Sequence, residues 1–329
     1  MVRKNSSYDV IIIGAGGTGL AAGMYTGRLG LKTLILGATS GSELPVGGVI
    51  TTTHLVENYP GFLRLTGIEL AQKLEEHARE YHASINEERV SKLEKTKQGF
   101  AVTTERKSYQ SKTVIFATGT KLKKLGATGE DKFANRGVSY CVLCDGPLYK
   151  NKTVAIIGGS DSAVKESLLL AEYARKVYII ARGDHLRAEP INLKRVRMNK
   201  KIEIITKTHV KEIRGEMFVR SILIDTPYKK ENELSVDGVF VAIGHIPLSD
   251  LAKHVGAMTN SKGEVIIDKE SRTNIPGFFA AGDVVDSEFK QLITGVGEAV
   301  KAAYHAYQFI QGEPIHPVND LHIEDPLER

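Results

Sequence analysis

Only two cysteines occur among the 329 residues, and both lie in one run, Cys141-Val142-Leu143-Cys144-Asp145. That scarcity argues against a disulfide-stapled secreted scaffold and against a zinc site, which needs about four thiolate or imidazole ligands. No second pair exists, no histidine lies within the run, and His54, His77, His82 and the other histidines show no metal-ligand spacing. Any apolar stretch approaching the roughly 20 residues of a membrane helix is also missing. The N-terminus, Met1-Val2-Arg3-Lys4-Asn5-Ser6-Ser7, is polar where a secretory leader would be apolar. The expectation is a cytoplasmic protein with no membrane partner.

A concentrated basic stripe is lacking too. Net charge is +5, with Lys and Arg scattered, whereas a nucleic-acid binder gathers them on one face with interleaved aromatics. The short cluster Lys194-Arg195 and Arg197-Met198-Asn199-Lys200-Lys201 reads as a solvated helix face, so no nucleic-acid partner is expected. With 42% hydrophobic and 25% charged residues the chain is not disordered, and its length allows two cores.

What is present is a repeated pattern. Tyr8-Asp9-Val10-Ile11-Ile12-Ile13 is an apolar strand ending at a glycine cluster, followed by helical periodicity over Leu20 to Leu29 and a second strand, Thr33-Leu34-Ile35-Leu36. Thr153-Val154-Ala155-Ile156-Ile157 repeats the sequence with glycines, a helix over Ala163 to Tyr173, and the strand Val177-Tyr178-Ile179-Ile180. Two such βαβ units predict an α/β protein of doubly wound parallel sheets. Thr66 and Glu69 form a capping box ahead of Leu70, Leu74, Ala78 and Tyr81, one apolar helix face that belongs to the core. Strand-like runs ending at Gly119 and Gly244 mark candidate hinges, with His245 read as a packed hinge residue, and Phe278 to Asp283 as a return to the first domain.

Gly14-Ala15-Gly16-Gly17-Thr18-Gly19 matches the dinucleotide fingerprint with the flanking strand and helix it requires. Gly14 allows the tight turn, Gly16 lets the backbone approach a pyrophosphate, and Gly19 lets the helix pack closely. About 20 residues on, where an acid would bind ribose, stands Leu36-Gly37-Ala38, so ribose contacts come from elsewhere. In the second turn, Gly158-Gly159-Ser160-Asp161-Ser162-Ala163, Ser160 replaces the middle glycine. Arg182 and Arg187 follow at the position where an arginine accommodates a 2′-phosphate, which favours NADPH over NADH. A thiolate in a closely spaced cysteine pair is reactive, although the spacing alone equally allows a buried structural pair.

Val138 to Gly146, the two fingerprints, Val56-Glu57-Asn58-Tyr59-Pro60-Gly61-Phe62 and Ala280-Ala281-Gly282-Asp283-Val284 together resemble the low-molecular-weight thioredoxin reductases, from about Tyr8 to Ile310. The resemblance implies two Rossmann-like domains, the second inserted into the first. Residues 1–120 and 246–329 would hold FAD, and residues 121–245 would hold NAD(P) and carry the redox disulfide. It assigns the first fingerprint, Asn58, Asp283 and Gln291 to FAD, with Val90, Gly119, Gly282 and Lys290 completing the cofactor-binding set. Gly158, Gly159, Ser160, Asp161, Ser162, Arg182 and Arg187 would hold the nicotinamide nucleotide. Cys144 would face the flavin, Cys141 would attack the partner disulfide, and Asp145 would move the proton. Family members are homodimers that reduce thioredoxin or a thioredoxin-like protein and rotate one domain against the other.

Two departures bear on these implications. The family's His-Arg-Arg run is Ala181-Arg182-Gly183 here, so NADH or a non-nicotinamide donor such as ferredoxin stays an alternative. The stretch Gly41 to Val49 is longer and more proline-interrupted than the family's flavin loop. A non-catalytic FAD-binding redox sensor is the alternative from another class.

Overall fold

The computed structural model describes residues 7–37, 44–53 and 56–312. The N-terminal six residues, Ala38, residues 41–43 of the expected flavin loop, His54 and the tail beyond Gly312 lie outside them. The chain divides into two compact units, Met1–Lys121 with Ile246–Arg329, and Leu122–His245.

In the first unit the strand Ser7–Ile13 pairs in parallel with Thr33–Leu36 on one side and Ser108–Phe116 on the other. Ser84–Asn86 extends one edge, and Phe278–Ala280 pairs in parallel with Ser108–Phe116. The strand Thr33–Leu36 is buried along its whole length, as expected of a parallel strand covered on both faces. One cover is built from the helices Gly17–Arg28 and Leu292–Gln311, through Leu20, Ala21, Ala302, Ala303 and Ala306. Phe100, Val102, Tyr109, Ala252, Val265 and Phe278 form the other.

The first helix starts at Gly17, three residues before the apolar periodicity suggests, because the fingerprint glycines form its first turn. Helix Gly67–Glu80 begins where expected. Thr66 Oγ1 accepts from the Glu69 amide at 3.1 Å, and the Glu69 carboxylate accepts from the Thr66 amide at 2.7 Å.

The second unit centres on Thr153–Ile157, with Lys176–Ile180 and Ile202–Ile205 on one side and Gly238–Val241 and Val138–Ser139 on the other, all parallel. The last long strand stops at Val241, earlier than the apolar run to Ile243 suggests. Helix Asp161–Tyr173 follows the second glycine turn, and an antiparallel ribbon of Val210–Gly215, Val219–Tyr228 and Glu231–Ser235 adds a second layer. The α/β expectation with a second unit inserted into the first is met.

Where that ribbon meets the main sheet, Glu203 accepts from Lys176, Tyr228 and Lys229. Bonding to Lys176 first, then to Tyr228, holds its carboxyl at about 2, against an ordinary value of 4.5. A lowered carboxyl contributes stability that is present above its unfolded value and is lost as pH falls toward the folded one. The melting temperature of the wild-type chain should therefore drop more steeply than that of Glu203→Gln between about pH 5 and about pH 2. Parallel melting curves for the two proteins would refute this assignment.

Candidate active site

The predicted cofactor residues fall into two groups, one in each compact unit. In the first, Gly14 takes a left-handed backbone with φ of 120°, and Gly16 is the extended cap of helix Gly17–Arg28. The amides of that helix's first turn have no partners inside the helix and can receive phosphate oxygens. Gly17 is an exception, because its amide donates to Gly47 O at 3.0 Å while Gly47 N donates back to Ala15 O at 2.8 Å. A Cβ on Gly17 would lie 2.6 Å from Leu292 Cδ1, so this glycine also serves close packing. The described part of the Gly41 to Val49 stretch thus docks on the fingerprint through Gly47.

Thr18 packs against the Gly282 and Gly295 segments. A Cβ placed on either glycine would come within 2.8 Å and 2.4 Å of Thr18 Oγ1. Asn58 Nδ2 donates to Gln291 Oε1 at 3.1 Å, which joins two predicted flavin contacts 233 residues apart in sequence. Asp283 is half-buried just after Gly282, and Lys290 Nζ donates to the carbonyls of Asp283 and Val285 and pairs with Glu264. The Lys290 ammonium thereby braces the loop that presents Asp283. Val90 opens the strand Val90–Thr96 and packs on the core beneath it.

Glu298 belongs to no fingerprint in the sequence. This residue is only 9% exposed, and its carboxylate accepts from the Gly282 amide at 2.7 Å and from the Ser287 hydroxyl. A buried carboxylate with these donors fixes the turn at Gly282. The available signal was one acid in a helix whose buried positions are otherwise glycine and alanine.

Gly119 and Gly244 both adopt left-handed backbone, with φ of 68° and 97°. His245 is exposed, which corrects the reading of a packed hinge residue. The short strands Thr120–Leu122 and His245–Pro247 pair with each other, so their hydrogen bonds rather than side-chain burial order this stretch.

In the second unit Gly158 turns the chain and Ser160 caps helix Asp161–Tyr173. Ser160 Oγ lies 3.5 Å from the Ala163 amide, so the hydroxyl that replaces glycine serves the helix end. Ser162 is exposed on the first turn. Arg187 N donates to Gly159 O at 2.7 Å, which ties the arginine segment to the glycine turn. Arg182 and Arg187 are both exposed there. Asp161 has partners within the unit. Its carboxylate meets Lys165 at 2.8 Å and accepts from the Glu189 amide and Asn192 at 3.1 Å, and these donors, Lys165 first, hold its carboxyl below the usual range. On the same helix burial pushes the Glu166 carboxyl up to about 7, a feature the sequence reading missed.

Cys141 and Cys144 form a disulfide, with Cα atoms 5.3 Å apart. Cys141 is the N-cap of the short helix Val142–Asp145, and the Cys144 amide donates to Cys141 Sγ at 3.1 Å. When the bond opens, that donor stabilises negative charge on Cys141. Both sulfurs belong to half-buried residues; Leu143, between them in sequence, and Leu148, four residues past Cys144, are exposed. Asp145 is half-buried, with its Oδ2 accepting from Ser139 Oγ at 2.6 Å. Burial, then the negative charge of Asp145 and Asp237, pushes the Tyr149 phenol up to about 12, so it stays neutral.

A disulfide directly ahead of one of two dinucleotide turns defines the class, a disulfide oxidoreductase that works with two dinucleotides. The chain belongs to the pyridine nucleotide-disulphide oxidoreductase family, which matches residues 8–306, and within it to the low-molecular-weight thioredoxin reductases. It is 38% identical over 314 residues to the thioredoxin reductase of Listeria monocytogenes, covering 94% of this chain and 96% of that one. The crystal structure of thioredoxin reductase from Streptococcus pyogenes matches with a TM-score of 0.86 and 36% identity, over 94% of this chain and 100% of that one. A ferredoxin-flavin thioredoxin reductase from Clostridium acetobutylicum matches with a TM-score of 0.50 and 31% identity, over 93% and 99% of the two chains. Among the described residues no helix is long and apolar enough to cross a membrane, and no cluster of side chains could hold a metal ion.

Proposed function

We propose that this chain passes electrons from NADPH through FAD to the Cys141–Cys144 disulfide and on to thioredoxin or a thioredoxin-like protein, as a homodimer in the cytoplasm. The observation that carries the reading is the half-exposed disulfide, with a hydrogen-bonded acid beside it, directly ahead of the second glycine turn. FAD, when bound, supplies the two-electron chemistry that links a nicotinamide to sulfur.

Gly16 leaves room for a pyrophosphate at the helix end, since a Cβ there would find only Gly47 O, at 3.7 Å. Asn58, Asp283 and Gln291 orient the rest of the flavin cofactor, and Glu298 holds the Gly282 turn from behind. Arg182 and Arg187 receive the 2′-phosphate, two cations where a neutral ribose edge would need none. Cys141, favoured as the thiolate by the Cys144 amide, attacks the partner disulfide. Asp145 accepts and returns the proton. The exposed leucines at 143 and 148 offer an apolar face suited to a protein partner, and Gly119 and Gly244 serve as the joints of domain rotation.

Rapid mixing with each nucleotide while following flavin absorbance tests the donor. NADPH should bleach the flavin at least about tenfold faster than NADH, and Arg182→Ala/Arg187→Ala should erase that difference, since a charge-assisted phosphate contact is worth roughly a factor of ten. A second reading, with ferredoxin as donor, is favoured by the match to the Clostridium structure and by Ala181 and Gly183. Bleaching by neither nucleotide would reject NADPH and leave that reading in its place.

A further inference from the structure

We infer that Ser139 is a positioning residue for thiol-disulfide exchange, holding Asp145 beside the cysteines with one carboxylate oxygen committed and the other left to carry the proton. The inference rests on the reading of Asp145 as the group that moves that proton. Ser139 ends the strand Val138–Ser139 and is only 5% exposed. Its Oγ accepts from the Cys141 amide at 3.1 Å and donates to Asp145 Oδ2 at 2.6 Å. A hydroxyl has one hydrogen to give, and the competing acceptor, Cys141 O, lies at 3.4 Å. The shorter contact to a charged oxygen therefore takes it.

One buried side chain thus bonds both the first cysteine and the acid. The strand that carries it is anchored on its other side. The Tyr140 hydroxyl donates at 2.8 Å to Glu130, which is 3% exposed and also accepts the amides of Leu125 and Gly126. In the following 3-10 turn, Gly146–Tyr149, burial and then the charges of Asp145 and Asp237 keep the Tyr149 phenol neutral. Without the Ser139 hydroxyl the carboxylate loses the donor that sets its rotamer, and the proton path lengthens or misaligns.

The chemistry balances as an exchange. The reduced pair carries two electrons and two protons. Cys141 gives up its proton and forms a bond to one partner sulfur, the partner S–S bond breaks, and the departing sulfur takes a proton. Cys144 then yields its proton to Asp145 and attacks Cys141 Sγ, which re-forms the intramolecular disulfide. The second partner sulfur leaves and takes the proton back from Asp145.

The test measures exchange between the FAD-bound chain, reduced by a small dithiol and then freed of it, and an aromatic disulfide in stopped flow. No nucleotide enters, so a failure of the NADPH reading leaves the result intact, and unchanged exchange in Asp145→Asn would reject the acid's role separately. Ser139→Ala should slow exchange about tenfold, as for loss of a hydrogen bond to a charged group. In an Asp145→Asn background the same change should cost less than about twofold, because the residue acts through the acid. Ser139→Thr and Ser139→Val have the same shape, so any folding defect is shared, and the threonine variant should be about tenfold faster. Equal rates for that pair, or full additivity of Ser139→Ala with Asp145→Asn, would overturn the proposal.

Discussion

Cys144→Ser should stop turnover of a protein disulfide at the background rate and leave the partner trapped on Cys141 as a mixed disulfide. Both consequences follow from the two sulfurs having unequal surroundings. Cys141 Sγ accepts the Cys144 amide, which survives when only the side chain at 144 changes, so the attacking thiolate is still stabilised. With serine at 144 nothing resolves the intermediate, since a hydroxyl near neutral pH neither ionises nor attacks sulfur as a thiolate does. Cys141→Ser should also lose turnover, but without accumulating the adduct. Donor-driven flavin bleaching should persist in both variants, because neither cysteine supplies the dinucleotide turns. Non-reducing gels with the partner, together with flavin absorbance, read all three outcomes. An adduct that forms with Cys141→Ser and not with Cys144→Ser would reverse the assignment.

The second large effect separates two glycines of one motif. A Cβ on Gly19 would lie 1.8 Å from Gly14 O and 3.5 Å from Ile12 Cγ2. Alanine normally favours a helix by about 1 kcal/mol over glycine, but here the helix must lift off the glycine turn, at a cost of about 3 kcal/mol. Gly19→Ala should therefore lower the melting temperature of the chain whether or not flavin is added. Gly16 has φ of −74° and ψ of 175°, which alanine adopts without strain, and its Cβ would meet only Gly47 O. Gly16→Ala should fold with a stability change under about 1 kcal/mol, yet bind FAD roughly ten- to a hundredfold more weakly, because the methyl occupies the pyrophosphate's place. Thermal melts of flavin-free protein and fluorescence titration with FAD distinguish the two. Equal flavin affinity for Gly16→Ala and wild type would remove the first turn from the binding site.

Much of this could be read along the chain because it depends on near neighbours. Strand, glycine cluster and helix follow one another within about 30 residues, so a βαβ unit is visible as a change of period. The capping box at Thr66 and Glu69 and the cysteine pair ahead of Asp145 are local in the same sense. The resemblance then extended those local signals to Asn58, Gln291 and Asp283. The burial of a histidine is not local. His245 looked like a packed hinge residue and is exposed, because pairing of two short strands orders that segment instead.

Side-chain hydrogen bonds were the least legible layer. Asp161, Gly17 and Lys290 occupy positions that motif reasoning assigns to a cofactor, and the fold uses their polar groups internally. Glu298 and Ser139, which no fingerprint names, hold the Gly282 turn and the Asp145 carboxylate. A fingerprint records which backbone shapes a ligand needs. It does not record where a donor finds its acceptor.

By itself, then, the amino-acid sequence determined the α/β class, the two glycine turns and the one place where sulfur chemistry can occur, since these depend on residue type and short-range order. The tertiary structure alone decided which polar groups are committed and which remain for ligand or proton. Those pairings join residues distant along the chain, such as Asn58 with Gln291, and whether a buried donor is satisfied is known only once the surfaces around it have closed.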